Sequence, residues 1–223
     1  MFLPPIAQDP AYHLFAGDST LPNVLSNLPF IPVGLYGLWC WRRARWAEPH
    51  DRWAWLVVCI GAILIGLGSG YYHNAPDDGT LFWDRLPMTI GFMAIFTAMI
   101  GERIHSKAGL LLLAPFLIIG MLSVETWRQA NDLRFYALVQ FYPAIAMPFL
   151  LFFYPPRYDK VWAIWAMIGC YVLAKVLEHD DAVIYNATSH LVSGHTLKHL
   201  SAAAALAFPL HVLSSRRPLA NTV

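Results

Sequence analysis

The hydrophobic positions divide the chain into seven long apolar segments that are separated by short polar stretches. None of these segments alternates between apolar and polar residues with a period of two, and each approaches the roughly 20 residues that a membrane-spanning helix needs. Backbone groups cannot stay unpaired in hydrocarbon, so such runs form helices. The predicted spans are Asn23–Trp41, Trp53–His73, Asp84–Ile104, Lys107–Trp127, Arg134–Tyr154, Lys160–His179 and His190–Leu213. The pattern predicts an all-α, polytopic membrane protein that is built as a bundle of seven transmembrane helices.

Composition agrees with a chain that lies mostly in lipid. Hydrophobic residues make up 57% of the 223 residues and charged residues 13%, against about 25% charged residues in soluble domains. The net charge is only +1, which argues against a nucleic-acid binder. No low-complexity linker interrupts the sequence, so residues 1–223 are predicted to form a single transmembrane domain without a separate soluble unit.

The basic residues in the loops and near the helix ends are distributed unequally between the two predicted sides of the membrane. Ten lie on one side, which includes the C-terminal tail, namely Arg42, Arg43, Arg45, Arg52, Arg103, Lys107, Arg157, Lys160, Arg216 and Arg217. Three lie on the other side, namely Arg85, Arg128 and Arg134. Cytoplasmic loops carry the excess of basic residues. This asymmetry predicts an N-terminus outside and a cytoplasmic C-terminus.

Five polar residues stand out within the apolar segments. Ser69 and His73 are four residues apart at the outer end of the second predicted helix, and Asp84 opens the third. His195 and His199 are also four residues apart, about two turns inside the last predicted helix. Polar residues inside a membrane are costly and mark functional sites. We therefore expect these five to converge near the non-cytoplasmic face.

Their chemistry predicts a metal-assisted hydrolase. Histidines at positions i and i+4 share a helix face, and a third histidine completes the ligand set of a catalytic zinc site with one open position. Zinc polarises carbonyl groups and lowers the pKa of bound water. Asp84 suits a general base, and Ser69 suits a donor to the developing oxyanion. A lipid substrate would enter laterally from the bilayer.

Three blocks of the sequence resemble the alkaline ceramidase family, which belongs to the CREST superfamily of seven-helix membrane hydrolases. The blocks are GSGYYHNAPDDGTLFWDRLPMTI, SGHTLKH and NVLSNLPFIPVGL. The resemblance implies that His73, His195 and His199 are zinc ligands, that Asp84 activates the attacking water and that Ser69 helps to stabilise the transition state. It implies hydrolysis of the amide bond of ceramides to a sphingoid base and a fatty acid.

One block departs from the family pattern. Alkaline ceramidases of eukaryotes carry an acidic cluster that binds calcium, with a glutamate three residues before the asparagine of the first-helix motif. Thr20 occupies that position here, and only Asp9 and Asp18 lie nearby. Calcium is therefore not expected as a cofactor.

Two other functions are compatible with parts of this pattern. In a receptor-like protein of the adiponectin and progestin receptor type, the metal would be structural and little or no ceramide would be hydrolysed. In a retinal protein, Lys198 would form the Schiff base and Asp84 would be its counter-ion. The retinal hypothesis leaves His195 and His199 without a role.

Further charged residues lie at the predicted outer ends of the last two helices. Lys175 and Glu178 are three residues apart, so we expect an ion pair on one helix. Glu178, Asp180 and Asp181 form an acidic stretch that is expected to face solvent.

Overall fold

All regular structure in the described part of the chain is helical. The computed structural model describes residues 6–8 and 20–219, and no β-strand occurs within them. The helices are α1 (Thr20–Asn27), α2 (Phe30–Arg43), α3 (Asp51–Asn74), α4 (Asp78–Arg103), α5 (Ser106–Ala130), α6 (Arg134–Phe153), α7 (Trp162–His179), α8 (Asp181–Ala187) and α9 (Gly194–Val212). The all-α prediction is confirmed for these residues.

The helical segments differ in number from the seven predicted spans. The first predicted span consists of two helices, α1 and α2, which are interrupted at Pro29, a residue that has no amide hydrogen for a helical bond. The short helix α8 was not predicted. The described residues thus form nine helical segments instead of seven.

Within the described residues, four helical stretches are long and apolar enough to cross a membrane. They are Leu21–Arg43, which contains α1 and α2, together with α3, α5 and α6. Large apolar side chains project outward from them, as Leu111 on α5 and Phe152 on α6 do with exposed fractions of 74% and 80%. A surface of this kind indicates a membrane protein, because apolar side chains are well solvated by lipid.

Among the other three long helices, α4, α7 and α9, the first contains the most ionisable side chains, including Asp84, Arg85, Glu102 and Arg103. The burial of α4 explains how an apolar environment tolerates them: it packs against α3, α5 and α6, and every residue from 93 to 103 is buried. Polar residues of membrane helices face the interior of the bundle, where other helices shield them from lipid. The ionisable side chains in the buried part of α4 are therefore shielded from lipid by the neighbouring helices.

Helix α4 begins six residues earlier than predicted. A capping box starts it: the Asp77 side chain accepts a hydrogen bond from the Thr80 backbone N–H at 2.7 Å, and the Thr80 hydroxyl accepts one from the Asp77 N–H at 3.0 Å. Such reciprocal bonds satisfy amide groups that have no partner within the helix. Asp84 consequently lies in the second turn of α4 and does not open the helix.

Helix α9 begins four residues later than predicted. Ser189 and His190 have positive φ angles of 53° and 65°, which belong to a turn. The Ser193 side chain then accepts a hydrogen bond from the Thr196 backbone N–H at 3.0 Å and caps the helix. His195 and His199 therefore occupy the first two turns of α9, nearer its end than expected.

Close contact between α3 and α4 places the polar end of α3 beside Asp84. The contact depends on Gly68, because a Cβ atom there would overlap the carbonyl oxygen of Trp83. Ser69 follows Gly68 on α3, and Asp84 follows Trp83 on α4. The missing side chain of one glycine thus brings these two functional candidates together.

A second polar cluster lies at the other end of the bundle. Arg216 and Glu102 form a buried ion pair at 2.6 Å, and Trp55 Nε1 donates to the Glu102 carboxylate at 2.6 Å. The Arg216 guanidinium also stacks on Tyr158, 3.9 Å from its ring centre. Through these contacts the segment after α9 is attached to α3, α4 and the connection that precedes α7.

Candidate metal centre

Three histidine side chains meet at the end of α3 and the start of α9. Nε2 of His195 lies 3.2 Å from Nε2 of His73. The ring centres are 4.9 Å apart for His73 and His195, 4.8 Å for His73 and His199, and 4.7 Å for His195 and His199. One nitrogen of each ring lies within 4.8 Å of the others, so the three could hold one metal ion.

The local sequence explains why these rings converge. His195 and His199 are one helical turn apart, so both side chains project from the same face of α9. His73 is the penultimate residue of α3. Its ring contacts the ring of Tyr72 in a tilted arrangement, with centres 4.7 Å apart. All three rings are buried, with exposed fractions of 3% for His73, 2% for His195 and 6% for His199.

This donor set fits zinc. Neutral imidazole nitrogens are its common ligands, and three protein ligands with one open position are typical of catalytic zinc sites. A structural zinc site has four protein ligands instead. The group that could hold an ion consists of the three histidines and does not include Asp84.

Asp84 and Ser69 lie beside each other, and Ser69 is one helical turn before His73 on α3. The Ser69 side chain lies close to the Asp84 carboxylate. Both side chains are buried, with exposed fractions of 8% for Asp84 and 4% for Ser69. The five residues that the sequence singled out thus occupy one end of α3, the second turn of α4 and the start of α9.

The charged residues around this end form a connected group. Glu178 accepts hydrogen bonds from Lys175 at 2.7 Å and from Lys198 at 2.5 Å, which links α7 to α9. The predicted pair of Lys175 and Glu178 is therefore confirmed. The contact with Glu178 also explains the position of Lys198 without a chromophore, so it gives no support to the retinal hypothesis.

The acidic stretch that was expected to face solvent is half-buried, and two of its three residues have defined hydrogen-bond partners. Glu178 is the acceptor of both lysines, and the Asp181 carboxylate accepts a hydrogen bond from the backbone N–H of His195 at 2.6 Å. The first N–H groups of a helix have no helical acceptor, so a carboxylate there stabilises the helix start. Asp181 thereby fixes the backbone of one histidine.

Sequence reasoning also missed two residues of α1. Ser26 Oγ lies 2.9 Å and Asn27 Nδ2 3.2 Å from Nδ1 of His199. Both residues lie in the block NVLSNLPFIPVGL, but the resemblance of this block to the ceramidases indicated no role for either of them. Asp9 and Asp18, named for the calcium question, lie outside the described residues, as does the side chain of Thr20.

Comparison with known proteins identifies a family. The sequence profile of the family described as Ceramidase matches residues 19–177, more than two thirds of the chain. This match includes Ser69, His73 and Asp84 and ends before α9, which carries His195 and His199. A search of curated proteins finds no match.

Proposed function

Since the chain belongs to the ceramidase family, we propose that it is a zinc-dependent amidase that works in the membrane. It hydrolyses the amide bond of ceramides or closely related N-acyl lipids and releases a sphingoid base and a fatty acid. The observation that carries this proposal is the buried contact of three imidazoles, His73, His195 and His199. Three such groups are costly to place in an apolar bundle unless they bind something.

In this proposal the three histidines hold the zinc ion. Zinc bound there supplies a Lewis acid for the amide carbonyl and makes water nucleophilic near neutral pH. The helices around the rings exclude bulk water, which strengthens electrostatic interactions at the reacting amide.

Asp84 is the general base and later the general acid. It takes a proton from the attacking water and returns it to the nitrogen of the leaving amine, since proton transfer by a positioned group lowers both barriers. Burial and the contact with Ser69 support this role, because both hold the carboxylate in one orientation.

Ser69 has a single O–H group, which it can donate to one acceptor at a time. While Asp84 is ionised, this hydroxyl donates to its carboxylate and orients it. Once Asp84 has taken up the proton, the hydroxyl turns to the carbonyl oxygen of the substrate, where negative charge develops. The same side chain thus serves two steps in sequence.

We further propose that residues 1–223 form one domain that crosses the membrane seven times. Its N-terminus is outside, its C-terminus is cytoplasmic and its active site is near the non-cytoplasmic face. Support comes from the four apolar helices and from the ten basic residues at the opposite end of the predicted bundle. Lipid approaches from the side, past exposed apolar residues such as Leu191, which is 78% exposed.

The direct test is a ceramide hydrolysis assay with purified protein in lipid vesicles. We expect equal amounts of sphingoid base and fatty acid, and we expect a chelator to abolish both. His73→Ala should lose zinc and activity together, whereas His211→Ala, a histidine at the other end of α9, should keep both. A protein that carries zinc but releases neither product from any N-acyl lipid offered would favour the receptor-like alternative.

A further inference from the structure

Helix α1 carries a polar face that the proposed reaction does not use. Asn23, Ser26 and Asn27 lie on it at helical spacing, and their exposed fractions are 4%, 5% and 1%. Buried polar side chains are retained when they make hydrogen bonds. The partners of these three residues therefore indicate what α1 does in the bundle.

Two of the three residues contact the outward nitrogen of a candidate zinc ligand. Ser26 Oγ lies 2.9 Å from Nδ1 of His199, and Asn27 Nδ2 lies 3.2 Å from the same atom. Because Nδ1 is occupied by these neighbours, Nε2 is the nitrogen that remains to bind an ion.

The hydrogen bonds within α1 decide which neighbour is the acceptor for Nδ1. An imidazole that binds zinc through Nε2 carries its proton on Nδ1. Asn27 Nδ2 donates to the Asn23 carbonyl at 2.8 Å, so the amide nitrogen faces His199 and cannot accept that proton. Turning the amide over would place its oxygen against the carbonyl oxygen of Asn23, and two acceptors repel each other. Ser26 also donates its hydroxyl hydrogen to that carbonyl, at 3.0 Å. Its oxygen is thereby left as the acceptor for a proton on Nδ1 of His199.

The same helix holds α9 at a second point. The Thr196 hydroxyl donates to Oδ1 of Asn23 at 2.8 Å. Thr196 is three residues before His199 on α9, so the two contacts lie on one side of the helix. Together they fix the depth and the rotation of α9 against α1.

We propose that Ser26 is a positioning residue for the zinc ligand His199, an inference that rests on the proposed function. By accepting a hydrogen bond from Nδ1–H, Ser26 keeps the proton on that nitrogen and directs the lone pair of Nε2 toward the metal. Partners of this kind fix the tautomer and orientation of metal-binding histidines, and their loss typically costs about 10–100-fold in metal affinity.

The test measures zinc affinity by competition with a chromogenic chelator, independently of turnover. Ser26→Ala should bind zinc about 10–100-fold more weakly than the native protein, and Ser26→Thr, which keeps a hydroxyl, should regain most of the affinity. Ser123→Ala is the matched control. Ser123 is fully buried and donates to the carbonyl three residues before it at 2.7 Å, as Ser26 does, but on α5.

Two results would overturn the inference. One is that the Ser26→Ala protein binds zinc as tightly as the Ser123→Ala protein does. The other is that the Ser26→Thr protein binds zinc as weakly as the Ser26→Ala protein does. Nitrogen-15 NMR of the native zinc-loaded protein gives a test without substitution. We expect His199 to carry its proton on Nδ1, and zinc bound to Nδ1 would refute the role of Ser26. A native protein that binds no zinc would refute the proposed function itself.

Discussion

Asp84 is a buried carboxylate that lies close to the Ser69 side chain. A partner of this kind orients the carboxylate without forming a fixed ion pair. Asp84 therefore suits proton transfer better than a purely structural role. Substitution of Asp84 alone is therefore a direct test of the proposed proton transfer.

Asp84→Asn should lower kcat by about 10²–10⁴-fold, the usual contribution of a positioned acid–base group. Zinc should be retained, because the group that could hold an ion consists of the three histidines and does not include Asp84. Steady-state hydrolysis and metal analysis of the same preparation measure both quantities. Asp78→Asn is the control, since Asp78 lies on the same helix but is exposed. Full activity of Asp84→Asn would rule out its role as base.

The residues of the candidate site differ in how far the sequence could predict them. His73, Asp84 and His195 stand out because ionisable groups are rare in apolar segments. Ser26 does not, because serine is unremarkable in a helix and its contact with His199 joins positions 173 residues apart. Such a contact depends on how the helices pack, which a one-dimensional pattern does not contain.

At the level of helices, the site depends on the distance between α3 and α4. Gly68 and Gly70 lie two residues apart on α3 and differ in their surroundings. A side chain at Gly68 would overlap the backbone of Trp83, whereas nothing lies within 4 Å of the position that a side chain at Gly70 would take. Alanine substitutions at these two positions therefore separate the effect of helix spacing from the effect of replacing a glycine within a helix.

Gly68→Ala should push α4 away from α3 and displace Asp84 from the histidines. We expect ceramide hydrolysis to fall by about 10²-fold, since a misplacement of about 1 Å can have that effect. Gly70→Ala should keep full activity and gain up to about 1 kcal/mol of stability, because alanine favours helix more than glycine does. Rate measurements and thermal unfolding distinguish the two variants. Equal losses in both would show that helix spacing is not the cause.

The bounds of the helices were predicted less well than their existence. The capping groups Asp77 and Ser193 begin α4 and α9, and both were overlooked because hydropathy responds to long apolar runs and not to single polar residues. α8 was missed since it has only seven residues and lies between two polar stretches. Helix ends depend on a few hydrogen bonds, whereas the interior of a helix can be predicted from hydropathy averaged over many residues.

At the scale of the whole molecule, two polar clusters lie at opposite ends of α3. His73 and Asp51 are 22 positions apart, which corresponds to about 33 Å along a helix. Asp51 accepts hydrogen bonds from Ser106 at 2.6 Å and from Tyr158 at 2.7 Å. The cluster around Asp51 thus links helices by hydrogen bonds at the arginine-rich end. The cluster around His73 contains the groups that we propose for catalysis.

The proposed orientation predicts which end of the bundle faces the non-cytoplasmic side. In a Cys170→Ala background, Ala187→Cys at the end of α8 should react with a membrane-impermeant maleimide in sealed proteoliposomes whose non-cytoplasmic face is outward. Arg45→Cys, at the arginine-rich end, should react only after permeabilisation. Both positions are exposed, and Cys40 and Cys59 are buried. The reverse labelling pattern would place the active site on the cytoplasmic side.

The most direct measurement for the central claim is a zinc titration of metal-stripped protein, with ceramide hydrolysis followed at each step. Three histidines that hold one ion predict that activity rises in proportion to added zinc and stops rising at about one equivalent per chain. Stripped protein should be inactive. Hydrolysis at full rate without metal, or one tightly bound zinc without any turnover, would contradict the account.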